Sequence, residues 1–289
     1  MTVYSTRFLP SGSSILLESC LFYGFSLSEA GGGLYLNSAL VVLTVINSLF
    51  DNCRSSENGG GIYCSSSAFY SNRNCFYACG GRYGSSIAAF CPNVTVYLST
   101  STRNSRNDVT LFSNSIYLSG SFPECSHINC SYNRHEWNTG IGLISWLLAT
   151  CKYYQSMSNT GRSAFHFIYA NSPSNNEFGN FFNNSVSIGS ATFDTSSFVL
   201  KKFSFSKNSL IIGGINGGTI SLIDCICDSN YDSNWPISQT NDSQFGISNP
   251  QSHLFEQLNT YKCIFPRKET LAPQKMSFSN IVFISIVIL

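Results

Sequence analysis

The phrase GGGLYL at residues 31–36 returns as GGGIYC at 59–64, 28 positions further on. Fainter copies follow: GSSIAA from Gly84, SNSIYL from Ser113 and GIGLIS from Gly140. GRSAFH from Gly161 and GSATFD from Gly189 are the loosest, and GGTISL from Gly217 is clear again. The intervals are 28, 25, 29, 27, 21, 28 and 28. A second landmark keeps step with the first. Phe22, Phe50 and Phe76 stand 28 and 26 apart, and Cys53 and Cys79 each fall three after their phenylalanine, where Phe25 falls in the first copy. FSNS at Phe112 and FSKN at Phe205 have the same flavour. Self-similarity at a period of 20–50 residues marks stacked repeats, because one such unit cannot bury its own apolar face.

Each copy joins a bend to a short apolar segment, so each unit reads as strand, polar loop, glycine bend, strand. Stacked in parallel, equivalent strands lie about 4.8 Å apart. Alternation then puts the fourth and sixth positions of the glycine phrase inside. The fourth reads Leu34, Ile62, Ile87, Ile116, Leu143 and Ile220, and the sixth reads Leu36, Cys64, Ala89, Leu118, Ser145 and Leu222. The fifth position faces out and reads Tyr35, Tyr63, Ala88, Tyr117, Ile144 and Ser221. Glycine suits the bends because it reaches positive φ without steric cost, and asparagine is the next most tolerant residue. The expected fold is all-β: a parallel β-helix, or solenoid, of about 27 residues per rung and eight or nine rungs.

Composition agrees. Serine, asparagine and glycine number 50, 28 and 22, which is 100 of 289 residues, yet 43% of the chain is hydrophobic and 14% aromatic. Turn formers mixed with strand formers give many short strands, not disorder. Net charge is +1 with only 11% charged residues, and no basic block is long enough to track a phosphate backbone, so nucleic acid is excluded as a partner. The twelve cysteines include no CxxC pair, so zinc spacing is absent. Disulfides and small core residues remain two open readings of them. No basic start followed by an apolar run opens the chain, so no export signal is visible. Three segments are expected: a β-helix over 1–240, a polar and basic linker over 241–275, and an apolar tail over 276–289. The tail, MSFSNIVFISIVIL, is shorter than the ~20 residues of a membrane-spanning helix and reads as part of a truncated membrane segment, or as a buried strand.

The phrases NGGGIYC, GGTISL and FSKN resemble the repeat of the polymorphic-outer-membrane-protein group of right-handed parallel β-helices, a pectin-lyase-like architecture. FDNC at Phe50 departs from that pattern, with asparagine one place early. Cysteine-bearing surface families of parasitic protozoa are similar. The resemblance spans roughly residues 13–230. It implies a surface-exposed or secreted adhesin-like protein whose partner is a host-cell surface protein or glycan, with membrane contact through the tail.

Chemistry is sparse. DCICDSNYD holds Asp224, Asp228 and Asp232, which read as a solvated turn more readily than as the carboxylate cluster of a β-helical polysaccharide lyase or glycoside hydrolase. His127, His135, His166 and His253 are dispersed, and GGINGG at 213–218 lacks the Lys-Ser/Thr of a phosphate loop. No catalytic residue, metal site or cofactor is therefore expected. The candidate ligand-binding residues are Tyr35, Tyr63 and Tyr117, which share one outward position. The leading reading is a non-enzymatic adhesion or display module. The alternatives are a β-helical polysaccharide-degrading enzyme and a partial gene copy without independent function.

Overall fold

The computed structural model describes residues 2–4, 6–104, 114–145, 147–168, 174–194, 197–215, 219–230, 237–248 and 250. Among them the chain forms parallel strands stacked in a solenoid, with no helix. A rung has three sides. Leu34–Ile46 supplies the first two, with the bend between Ser38 and Val42, and Leu49–Asp51 supplies the third. Ile62–Asn72 and Cys75–Tyr77 repeat the pattern one rung on.

On the first side Leu34, Ile62, Ile87, Ile116 and Ile141 pair in series, each with 0% of its surface exposed. The column continues through Phe165, Ala191 and Ile212. The glycine phrase therefore keeps true register through the copy at Ser113 and slips afterwards. Leu143 belongs to the neighbouring column, paired with Leu118, and Gly142 rather than Ile144 follows Tyr117 on the outer face. Ile220 lies on the second side, paired with Phe198. The slip opens without a bulge, because Gly140 lies inside the strand Asn138–Ser145 whereas Gly31, Gly59 and Gly84 precede theirs. Bulges at Asn138/Ile141 and Gly161/Ser163 then shift the later pairings. By Thr160 the polar loop before the first side is gone as well, and a strand begins directly after Asn159.

The third side carries the phenylalanine landmark. Tyr4, Phe22, Phe50 and Phe76 pair in register, and their rings stack at 4.7, 4.5 and 4.9 Å within 12° of parallel. Ser101, Cys130 and Ser156 then occupy the column, before Phe181 and Phe205 resume it at 5.1 Å. Offset ring stacking inside a core adds to the burial of each ring.

Three residues beyond each column member lies a second interior column: Phe25, Cys53, Cys79, Asn104, Asn133, Asn159, Asn184 and Asn208. From Asn104 to Asn184, each backbone N–H donates to the side-chain oxygen of the next asparagine at 2.9–3.1 Å. The side-chain amides of Asn133, Asn159, Asn184 and Asn208 donate backward to the carbonyls of Ser101, Cys130, Ser156 and Phe181. The thiols of Cys53 and Cys79 do the same toward Phe22 and Phe50. In FDNC, then, Cys53 fills the ladder position and Asn52 is the bend. Ten of the twelve cysteines are buried free thiols, used as small core residues.

The bends themselves depart from expectation. Asn52, Ala78, Arg103, Tyr132, Ser158, Asn183 and Lys207 all sit at φ 52–56°, and most are not the glycine or asparagine expected there. Each of the first six donates its N–H to a carbonyl of the next rung at 2.8–3.2 Å, and this pairing offsets the left-handed strain. Before the early first-side strands, glycine is obligatory. At Gly59 and Gly84, with φ of 68° and 63°, a Cβ would collide with the carbonyl oxygens of Ile62 and Ile87.

The last described rung closes with Ile237–Asn241 on Thr219–Ile223, and 244–247 hydrogen-bond back to Cys225, Cys227 and Ser229. The first residues of the expected linker thus lie on this rung. The apolar tail, residues 276–289, lies outside the described residues.

Candidate binding face

The outer face of the first side carries the candidate tyrosines. Tyr35 and Tyr63 are register partners on adjacent rungs and stack at 5.2 Å and 11°. Both are half-buried. The next position along is Ala88, followed by Tyr117, so Tyr63 and Tyr117 do not touch directly. Phe90 fills that gap, 5.7 Å from Tyr63 and 5.4 Å from Tyr117, and Tyr83 lies 5.2 Å beyond on Tyr117. The result is one aromatic run, Tyr35–Tyr63–Phe90–Tyr117–Tyr83. Its near end is capped by the Arg7 guanidinium, 5.3 Å from the Tyr35 ring, which also donates to Glu29 and to the Ala30 carbonyl.

The three candidates are not equivalent. Burial pushes the Tyr117 hydroxyl up to about 12, with Tyr83 adding to the shift, and only 9% of its surface is exposed. Burial also raises Tyr63, with Tyr35 as a secondary cause. Tyr35 and Tyr63 are therefore the accessible members, and Tyr117 anchors the run. With both shifts upward, the Tyr63 and Tyr117 hydroxyls stay protonated near neutrality, so these two offer ring surface and neutral hydroxyls.

A second aromatic run was not visible in the sequence. His127, Tyr153 and Phe178 stack along one edge of the solenoid at 4.4 and 4.9 Å, Tyr97 meets His127 edge-on at 5.1 Å, and the Lys202 ammonium lies 5.2 Å from the Phe178 ring. Four of these five, from His127 to Lys202, are bends at positive φ. Their spacings of 26, 25 and 24 were the available signal, hidden because each bend is a different residue type. The His127, Tyr153 and Phe178 rings cover each other's faces.

The residues considered for catalysis are dispersed. Asp224 is a bend whose N–H donates to Asn241, and Asp228 accepts from the Lys207 N–H at 2.5 Å. Asp232 and His253 lie outside the described residues. His135 is buried with the Ser85 and Ser115 hydroxyls at 3.2 and 3.3 Å, while His166 is buried against Thr192. Glu177 lies 3.8 Å from Lys152 and 3.6 Å from Lys201, its register partners on either side, in a shallow depression of the second side. Among the described residues, no group of three His, Cys, Asp or Glu side chains is placed to hold a metal ion, and no helix is long and apolar enough to cross a membrane.

No known family model, curated protein or solved structure matches this chain.

Proposed function

We propose that the chain is a β-helical adhesion or display module, at a cell surface or secreted, that holds a host-cell surface protein or glycan against the outer face of its first side. The observation that carries this reading is the pairing of Tyr35 and Tyr63, half-exposed and held parallel by rung register. Aromatic faces with a polar tip suit both sugar stacking and protein interfaces. A solenoid holds them at low entropic cost, because their strands are fixed before a partner arrives. Under this reading the apolar tail at 276–289 supplies the membrane contact.

The test compares Tyr35→Ser/Tyr63→Ser with the parent chain, for binding to intact cells and to immobilised glycans. Binding should fall at least tenfold while the far-ultraviolet circular dichroism and Tm stay near those of the parent. Equal binding at an intact fold overturns the assignment of this face.

A further inference from the structure

We propose that Cys64 and Cys91 form an oxidisable dithiol, a modification site that a hydroperoxide converts to a disulfide joining two successive rungs.

Cys64 lies on the first side of its rung, within Ile62–Asn72, and Cys91 lies one rung on, at the corner just after Ile87–Phe90. Their sulfurs are 3.8 Å apart. A disulfide needs about 2.05 Å, so about 1.8 Å of approach closes the bond. The Ser66 hydroxyl lies 3.2 Å from the Cys64 sulfur and 3.3 Å from the Cys91 sulfur, which holds both toward the same point. The Cys91 thiol also reaches the Cys64 carbonyl at 3.6 Å, and Cys53 and Cys79 interact with each other as well, but only the Cys64–Cys91 pair has a hydroxyl between its sulfurs among the contacts of these cysteines.

The Cys64–Cys91 pair also differs electronically. The contact with the Cys64 sulfur, followed by the hydrogen bond from Ser66, lowers the pKa of the Cys91 thiol despite its burial. Burial pushes Cys225 and Cys227 up to about 11 and about 12. A low-lying thiolate beside a second thiol is the arrangement in which oxidation stops at a disulfide. Cys91 is only 1% exposed, but Pro92 and Asn93 beside it are exposed, so a small oxidant needs only local opening of that corner.

The step balances. The Cys91 thiolate attacks one peroxide oxygen, the O–O bond breaks, and the departing hydroxide takes up the proton Cys91 had released, leaving a sulfenic acid and water. The Cys64 sulfur then attacks the Cys91 sulfur and the S–O bond breaks. The departing hydroxide takes the Cys64 proton and leaves as a second water. Two thiols are oxidised and one peroxide is reduced.

The test treats the reduced full chain with hydrogen peroxide and maps peptides without reduction. A linked Cys64–Cys91 peptide should form ahead of any other link among the ten buried free thiols, at a mass lower by two hydrogens for that link and with a Tm higher by several degrees. In Cys64→Ser the resolving thiol is gone, so dimedone should trap a sulfenic acid at Cys91 that it does not trap in the parent. If the oxidised parent contains no Cys64–Cys91 peptide, or links others of the ten buried free thiols first, the proposal is overturned. That first readout needs no variant, so a misfolded Cys64→Ser cannot rescue it.

Discussion

His166 is the residue on which acid stability should turn. It is 7% exposed, its Nδ1 lies 2.8 Å from the Thr192 hydroxyl, and burial, followed by the nearby Arg162 charge, lowers its pKa to about 4. The unfolded chain titrates this ring near 6.5. Below about 6.5 the unfolded state therefore takes up a proton that the folded state refuses. Stability is complete above that pH and drains away as pH falls toward 4, by about 3 kcal/mol in all. Urea unfolding from pH 7 to pH 4 should show this slope, and His166→Gln should flatten it. An unchanged slope in that variant would assign the acid sensitivity elsewhere. At neutral pH the variant tests only packing and the Thr192 bond.

The asparagine ladder shows what an element of this fold depends on. Asn159 accepts from the Asn133 N–H at 2.9 Å and donates to the Cys130 carbonyl and the Ser156 hydroxyl at 2.9 Å, all with almost no exposure. Asn159→Ala takes this partner from the Asn133 N–H and the Cys130 carbonyl, while the Ser156 hydroxyl keeps Asn184, and should cost about 3 kcal/mol. Asn183→Ala, at an exposed bend, should cost no more than about 1 kcal/mol, the strain of alanine at positive φ. Equal unfolding midpoints for the two variants would deny the ladder its role. The phenylalanine column was legible in the sequence because Phe22, Phe50 and Phe76 share a residue type and a steady spacing. The ladder was not. With 28 asparagines in the chain, those at bends mask those inside, and Cys53 and Cys79 take the same position by a thiol hydrogen bond. Tyr35 and Tyr63 were legible from GGGxYx, whereas Phe90 and Tyr83 join the run from outside the phrase and carry no period. The glycine phrase misled after Ser113 because the next glycine, Gly140, lies inside the strand Asn138–Ser145 instead of before it, and the bulged strands that follow shift the pairing again.

Across the whole molecule, rung length drifts while lateral register holds. The third-side column steps by 28, 26, 25, 29, 26, 25, 24 and 22 residues from Phe22 to Cys227, yet every step is a parallel pairing. Extra residues are absorbed at corners, as at 39–41 with exposed Leu40, so the interior tolerates insertions that a globular core would not. Bends are then equally spaced marks on a rod. Spin labels introduced as non-natural amino acids at Asn52 and, in turn, at Ser158, Asn183 and Lys207 lie four, five and six rungs apart. Pulsed dipolar spectroscopy should return three narrow distances that increase in steps of about 5 Å, with the label offset common to all. Distances that fail to rise in that order, or that jump by the length of a strand, would mean that the chain runs up and down instead of coiling in parallel.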